Sequence, residues 1–464
     1  MTLDMKTDTR TKTVAIEEES PVHSRLLLVV VSVLIAIGAF LPSLLIDDTI
    51  AAIALSIAIV CLILWLSEVV PVFVPTIVLW TAVPLLLGPI ANSFTLKDVL
   101  GWSADPVMPL FLGGFVLSVA ATKYGLDSAL AGLAIGLARG RRVQLIFLTA
   151  LATAFVSMWM SNIAAAAMMI VALRPILGTL AHTDGMRRGM LLAIAFGANL
   201  GGIATPIGSG PNAIAISAVA RTTQITFVEW MGFGVPLALL LIVSAVGLLY
   251  WRLQIKGKAI SWEQSPDRIP ARGKLVIGIV IATIALWLTE PLHGASSAVV
   301  ALASSAALFL TGLLNRRDLS LIDWGTLLLI AGGLGMGRLL EQSGLLASAA
   351  SAIPWNDFPH FTMLLVLCLT SAFLSALMSN TATAAVLIPL AATISPEPST
   401  LILIAIAASL GMPFVISTPP NAMVFSEGGL RSHHLLVPGS IIMIVGCVVI
   451  SATGSFVLAF FGIR

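Results

Sequence analysis

Apolar residues along this chain do not alternate with polar ones. They gather into unbroken runs at about 26–46, 50–67, 71–90, 106–122, 228–251, 274–289, 295–314, 325–340 and 435–461. A bilayer-crossing α-helix takes roughly 20 predominantly apolar residues. Runs of that length with no period of two predict helices and no strands, and they leave little chain for a soluble domain. Two intervening stretches, 92–105 and 125–139, are polar and amphipathic, the pattern of helices lying in the membrane interface.

Two longer segments carry a polar interruption where a span would be apolar. In 144–180 it is Met160-Ser161-Asn162-Ile163-Ala164-Ala165, and in 361–396 it is Met378-Ser379-Asn380-Thr381-Ala382-Thr383. Split there, each arm has about 16 residues and reaches about 24 Å, short of a full crossing. The pattern predicts two re-entrant hairpins with polar tips at membrane depth, where irregular backbone survives only inside protein or beside water. Each hairpin precedes a segment that a continuous helix cannot occupy. Residues 187–222 contain Gly201-Gly202-Ile203-Ala204-Thr205-Pro206-Ile207-Gly208-Ser209-Gly210-Pro211-Asn212, and 399–430 contain Gly411-Met412-Pro413-Phe414-Val415-Ile416-Ser417-Thr418-Pro419-Pro420-Asn421. Proline removes amide donors and glycine loosens the helix, so both segments are expected to break and free carbonyls beside the tips.

The two tips are copies. Ser379 follows Ser161 by 218 residues, and Leu-Trp-Leu-Thr-Glu at 286–290 follows Leu-Trp-Leu-Ser-Glu at 64–68 by 222. Gly332-Gly333 follows Gly113-Gly114 by 219, and Pro420-Asn421-Ala422 follows Pro211-Asn212-Ala213 by 209. Four pairs in one order at a nearly constant spacing indicate a duplication. An odd number of crossings in each copy makes the copies face opposite ways, and matching breaks in two such halves point to a transporter's binding site. The expected architecture is an all-α polytopic membrane protein, an inverted repeat with two re-entrant hairpins, two broken helices and about 11 transmembrane helices. Along the chain this gives a cytoplasmic tail (1–25), an unpaired span (26–46), a first repeat (50–251), a cytoplasmic linker (252–273) and a second repeat (274–464).

Composition agrees, with 58% hydrophobic residues, 10% charged residues and a mean hydropathy of +1.05, against about a quarter charged in a soluble domain. The few charges orient the chain. Arg139-Gly140-Arg141-Arg142, Arg187-Arg188, Arg316-Arg317 and the basic residues of 252–274 fall on one side if spans alternate from a cytoplasmic N-terminus, with Lys97 and Arg221 as exceptions. That bias predicts a multi-pass protein of the cell (inner or plasma) membrane. The polar N-terminal stretch is followed by no small-residue cleavage site, so the first span is expected to be retained. Once those loops are placed, the net charge of +2 leaves no basic patch for nucleic acid. Cys61, Cys368 and Cys447 lie far apart in apolar runs and are expected to be buried free thiols.

No His-Glu-x-x-His, no paired Asp in an apolar helix and no Ser with a His at comparable depth occurs, so no intramembrane enzyme is expected. A cation/proton antiporter would need a membrane-embedded carboxylate, and neither hairpin nor broken segment has one. Glu68 and Glu290, at span ends, read as packing or capping residues, and Lys123 and Arg338 as side chains that snorkel to the surface. Ser, Thr and Asn in apolar helices often only join helices; paired tips beside paired breaks point further. Helix N-termini at the tips suit an anion, and freed carbonyls and hydroxyls suit a hard cation such as Na⁺. No Lys, Arg, Asp or Glu occurs in 144–173, 189–220, 361–396 or 399–426, so a bound anion would draw its counter-charge from co-bound cations.

Together the Ser-Asn-Thr at 379–381, its counterpart at 161–162, Ser209-Gly210-Pro211-Asn212, Ser417-Thr418-Pro419-Pro420-Asn421, the Trp-x-x-Glu pairs at 65–68 and 287–290 and Phe111-Leu112-Gly113-Gly114-Phe115 resemble the divalent-anion/sodium symporter family, the INDY-like dicarboxylate and sulfate transporters. The resemblance covers nearly all of the chain beyond its tail. It implies a homodimer with a fixed scaffold and a moving transport domain, elevator-type exchange, and Na⁺ as co-transported ion with no organic cofactor. It also implies one Na⁺ site using Ser157, Ser161, Asn162 and the backbone near Gly202, and another using the backbone near Ser375 and Met378 with Asn380 and the loop around Ser417. Substrate would meet Asn162, Ile163, Ser379, Asn380, Thr381, Thr418 and Pro420. Ile163 stands where the family usually has Thr, losing a hydroxyl and adding apolar bulk, and Gly210 replaces the first Pro of Pro-Pro-Asn. A Na⁺-independent dicarboxylate exchanger stays an alternative, as does a transporter of sulfate or another organic anion.

Overall fold

The computed structural model describes residues 21–463 apart from 68, 139, 221, 254, 256–268 and 352–357. Glu68, most of the tail and most of the linker therefore lie outside the described residues. The chain is all-α. First come α1 (Pro21–Leu45), α2 (Thr49–Ser67), α3 (Val74–Leu86), α4 (Leu96–Trp102), α5 (Val107–Lys123) and α6 (Leu126–Ala138). The hairpin α7 (Arg142–Ser157) and α8 (Asn162–Thr179) follows, then the interrupted pair α9 (Gly185–Gly201) and α10 (Gly210–Val219), then α11 (Phe227–Leu253).

From residue 271 the order returns. Helices α12 (Ala271–Leu288), the single turn α13 (Glu290–His293), α14 (Ser297–Leu310), α15 (Trp324–Gln342) and α16 (Leu345–Ser351) lead into a second hairpin, α17 (His360–Leu377) and α18 (Asn380–Ile394). A second interrupted pair, α19 (Pro398–Ala408) and α20 (Pro419–Ser426), and the long α21 (Ser432–Phe460) close the chain. Even the turns match: Gly125 between α5 and α6 and Gly344 between α15 and α16 have φ of +71° and +76°, a region open to glycine without steric cost.

Among the described residues seven helices are individually long and apolar enough to cross a membrane, and eight if α4 and α5, bent by 56°, count as one span. Each hairpin has one arm longer than the expected 16 residues, α8 and α17 at 18 residues. At 1.5 Å per residue that is about 27 Å, and both count among the seven by length. What makes each pair a hairpin is the turn at its tip.

Helices α9 and α19 are the centre of the largest core. Every residue of α19 is buried, as a helix apolar on all sides requires. The hairpins, α11 and α21 wrap this pair. Helices α5, α12, α14 and α15 share a second core, and α2, α3 and α15 a third. Cys61, Cys368 and Cys447 are free and buried. Lys123 does not snorkel: its Nζ lies 2.7 Å from Asp318, a buried residue between α14 and α15, and it also donates to the Leu313 carbonyl at 3.0 Å. Arg338 stands 3.5 Å from Glu341 on its own helix. Glu290 accepts from Ser297 Oγ and, at 3.5 Å, from the amide of Phe227, the capping role expected of it.

Candidate functional site

Each hairpin tip starts a helix. Ser161 N-caps α8 by accepting from Ala164 N–H, and Ser379 N-caps α18 by accepting from Ala382 N–H. A cap of this kind is worth about 1 kcal/mol. It also aims the positive end of each helix at the tip.

Behind each cap the last hydroxyl of the incoming arm meets the first amide of the outgoing one. Ser157 Oγ lies 2.7 Å from Asn162 Oδ1 and 2.7 Å from the Ala198 carbonyl, and Ser375 Oγ lies 2.7 Å from Asn380 Oδ1 and 2.6 Å from the Ala408 carbonyl. One hydroxyl proton thus serves two acceptor oxygens at both tips. At the first tip the crowding goes further, because Asn162 Oδ1 also stands 3.1 Å from the Ala198 carbonyl and 3.2 Å from that of Gly208. Two arrangements relieve this: a cation among the oxygens, or the amide turned over so that its nitrogen donates. Gly202 is required here, since a Cβ would come within 2.8 Å of both Asn162 Oδ1 and the Gly208 carbonyl.

The interrupted pairs are held open by asparagines. Asn212 Nδ2 donates to the carbonyls of Gly202 and Thr205 at 2.9 and 2.8 Å, and Asn421 Nδ2 to those of Met412 and Phe414 at 3.0 and 2.8 Å. The unwound backbone is satisfied in part by these side chains, as buried amides and carbonyls must be. Ser417 Oγ donates to the Ala376 carbonyl, and Thr205 Oγ1 to that of Met158. Each loop is thus tied to the tip of its own repeat's hairpin.

The structure therefore brings Ser157, Ser161, Asn162 and Gly202 into one group and Ser375, Asn380 and Ser417 into another. Thr418 is tied to neither tip: its Oγ1 accepts from Asn199 Nδ2 at 3.1 Å, and Asn199 also reaches Asn421 Oδ1 at 3.2 Å. Met378 is buried in the core of α2, α3 and α15, and Pro420 is buried in α20. Sequence reasoning missed Asn199, which joins α9 to the second loop. It sits deep in the apolar core of α9, and that isolation was the available signal. The amide oxygens of Asn199 and Asn212 are buried without a hydrogen-bond partner.

The two halves are not equally covered. On α18, Ala385 and Pro389 lie under α15, where Cβ atoms on Gly333 and Gly337 would come within 3.0 and 2.7 Å of them. Thr381 is buried under Gly210, whose Cβ would stand 2.1 Å from Thr381 Oγ1. The matching stripe on α8 is bare: Ile163 is 44% and Val171 61% exposed. In α5, Gly114 faces Ile207 of the first loop and not α8. In the second loop Ile416 is 79% exposed and Pro419 is exposed, whereas residues 201–215 are buried throughout. A polar cavity of about 250 Å³ lies at the far end of the α15–α18 contact, lined among others by Asp105, Ser217, Arg338 and Glu341. Within it Asp105 Oδ2 accepts from Ser217 Oγ at 2.6 Å, tying α10 to the start of α5.

Duplicated hairpins and interrupted helices meeting in buried polar clusters, with one half covered and the other bare, define a membrane transport protein. The citrate transporter family model matches residues 26–400 and 360–463, and the chain belongs to that family. It is 33% identical over 418 residues to an uncharacterised transporter of Haemophilus influenzae, covering 84% of this chain and 88% of that one. It is 26% identical over 433 residues to the sodium-dependent dicarboxylate transporter SdcS of Staphylococcus saprophyticus, covering 83% and 82%. The inorganic phosphate transporter PHO87 of Saccharomyces cerevisiae matches at 26% over 410 residues, 82% of this chain and 43% of that protein. The crystal structure of the YdaH transporter of Alcanivorax borkumensis, described as having an unusual topology, aligns with a TM-score of 0.56 at 14% identity over 83% of this chain and 99% of that one. That likeness is one of fold.

Proposed function

We propose that the protein is a sodium-coupled symporter of a small divalent anion, a C4 dicarboxylate first among the candidates, resident in the cell membrane with a cytoplasmic N-terminus and working as a homodimer. The observation that carries this reading is the second tip, where the one Ser375 hydroxyl proton faces both Asn380 Oδ1 and the Ala408 carbonyl, with Ser157, Asn162 and the Ala198 carbonyl in the same arrangement at the first. Na⁺ among those oxygens supplies the missing positive charge. Ser157, Ser161, Asn162 and the backbone near Gly202 hold the first ion, and the backbone near Ser375 and Met378 with Asn380 and the loop around Ser417 the second. The anion then sits between the N-termini of α8 and α18, facing Asn162, Ile163, Ser379, Asn380, Thr381, Thr418 and Pro420. With two Na⁺ bound, a dicarboxylate site needs no fixed cation.

Unequal cover of the two halves supports alternating access. In this reading the hairpins, interrupted helices, α11 and α21 move as one transport domain against a scaffold of α2–α5 and α12–α15, in elevator fashion. Contact of α15 with α18 closes one side, and the bare α8 stripe, ending near Arg187 and Arg188, is the path from the cytoplasm. The dicarboxylate transporter among the relatives favours the same cargo.

The test is thermal stabilisation of the purified protein by a panel of anions, each with Na⁺ or with choline in its place. A ligand that binds only the folded state raises its stability by mass action, about 2.7 kcal/mol at a hundredfold excess over Kd. Stabilisation by succinate, malate or fumarate that requires Na⁺ is the expected result. Stabilisation indifferent to Na⁺ makes the protein an exchanger. A response to phosphate or sulfate alone assigns the cargo to an inorganic anion, the reading that exposed Ile163 favours because one hydroxyl is missing from the first tip.

A further inference from the structure

Helices α11 and α21 run side by side with an apolar groove between them of about 420 Å³, walled by Leu240, Leu248 and Trp251 on one helix and Ile441, Val445 and Val449 on the other. From Leu240 to Trp251 the groove follows about 16 Å of helix, close to half of a hydrocarbon core about 30 Å thick. It is one leaflet deep. Tyr250 and Trp251, 50% and 74% exposed, mark the interfacial end, where amphipathic rings settle.

Three arginines from three elements gather at that end. Arg252 follows Trp251 in the last turn of α11, Arg431 stands just before the first residue of α21, and Arg188 on α9 donates from Nε to the Gly429 carbonyl at 2.9 Å. The elements are in contact here: a Cβ on Gly185 would stand 2.9 Å from the Leu253 carbonyl oxygen. Gly429, which Arg188 reaches, lies two residues before Arg431, and Leu253, against which Gly185 packs, directly follows Arg252, so the three basic positions share this end of the groove. Among the described residues no carboxylate pairs with any of the three. The nearby acids are engaged elsewhere, Asp184 with Arg142 and Glu427 with Arg174. Converging like charges raise the energy of this corner until an anion joins them. Arg252 and Arg431 are exposed and free to receive one.

We propose that this groove is a binding site for one anionic phospholipid, its phosphate held by Arg252 and Arg431 with Arg188 behind them and an acyl chain laid between α11 and α21. An apolar groove one leaflet deep that ends at a basic cluster with no carboxylate partner among the described residues fits this ligand class at both ends. A zwitterionic lipid fits only the groove, and a free phosphate only the arginines.

The test uses the full-length protein in detergent, titrated with phosphatidylglycerol, with phosphatidylcholine of the same chains, and with glycerol 3-phosphate. Native mass spectrometry reads occupancy and a thermal midpoint reads stabilisation. The expected result is one phosphatidylglycerol retained and a raised midpoint, neither reproduced by phosphatidylcholine or glycerol phosphate. A basic residue at an anionic membrane surface contributes about fivefold in affinity, so R252Q/R431Q should weaken retention on the order of 25-fold. The charge-preserving S244W, on the groove wall, should weaken it by obstructing the chain, which covers the case where the double variant does not fold. Equal retention of both lipids, equal protection by glycerol phosphate, or undiminished binding by a folded R252Q/R431Q would overturn the site.

Discussion

Gly210→Ala tests the packing between the halves without reference to any cargo. Residue 210 opens α10 in the first repeat, and Thr381 sits at the second hairpin tip. A methyl group at 210 would lie 2.1 Å from Thr381 Oγ1, 2.8 Å from its Cγ2 and 3.0 Å from its Cβ. Three atoms of a β-branched side chain, stiff about χ1 and buried, cannot all retreat by rotation. Overpacking of this kind costs about 1–3 kcal/mol, whereas replacing Gly by Ala in a helix gains at most about 1 kcal/mol. The clash wins, and Gly210→Ala is expected to destabilise the folded protein by roughly 1–2 kcal/mol. Thermal midpoints followed by tryptophan fluorescence in one detergent supply the reading, with Gly210→Ala, Thr381→Ala and the double variant forming a cycle. Thr381→Ala removes the two nearer atoms and leaves only Cβ at 3.0 Å, so it should relieve most of the cost of Gly210→Ala and give a coupling of about 1 kcal/mol or more. Thr381→Val keeps the bulk and should not rescue. Strict additivity of the two alanine variants would refute the packing argument.

Three further expectations concern the tips and the scaffold. Asn380→Ala should abolish Na⁺-dependent uptake in proteoliposomes while leaving a monodisperse, folded protein, because it removes one of the three oxygens at the second cluster; uptake at the wild-type rate would strike Asn380 from the site. Ile163→Thr should tighten binding of a symmetric dicarboxylate by restoring a hydroxyl at the first tip, and an unchanged affinity series across succinate, malate and fumarate would show that residue 163 does not face the cargo. Burial works to raise the Asp318 carboxyl, but its hydrogen bonds to Lys123 and the Asn315 amide outweigh this and hold it below the usual carboxylate range. A lowered folded-state value contributes stability above the unfolded pKa that is lost as pH falls through the folded one. Melting midpoints of Asp318→Asn should therefore lie below wild type near neutrality and converge on it in acid; a constant offset at all pH values would contradict the pairing.

A duplicated helical membrane protein with broken segments at matching places is written in the chain itself. Apolar run length, glycine and proline in an apolar context, and recurrence of Ser-Asn at one spacing are local properties, which is why the tips and the interruptions stand where the pattern predicts. Glu290 as a cap and the three buried thiols follow from the same local reasoning. Lys123 does not: its partner Asp318 is brought to it only by the packing of α5 on α14. Gly210 reads in the sequence as a loosened loop, and the structure makes it the space into which Thr381 fits. Asn199 carries no motif, and its bonds to Thr418 and Asn421 join positions more than two hundred residues apart. Nor could two near-copies of one pattern announce that α18 is covered while α8 is bare. Local sequence decides what each half can form, but which half is sealed depends on how α15 and α5 settle against the hairpins, and only the tertiary structure decides that.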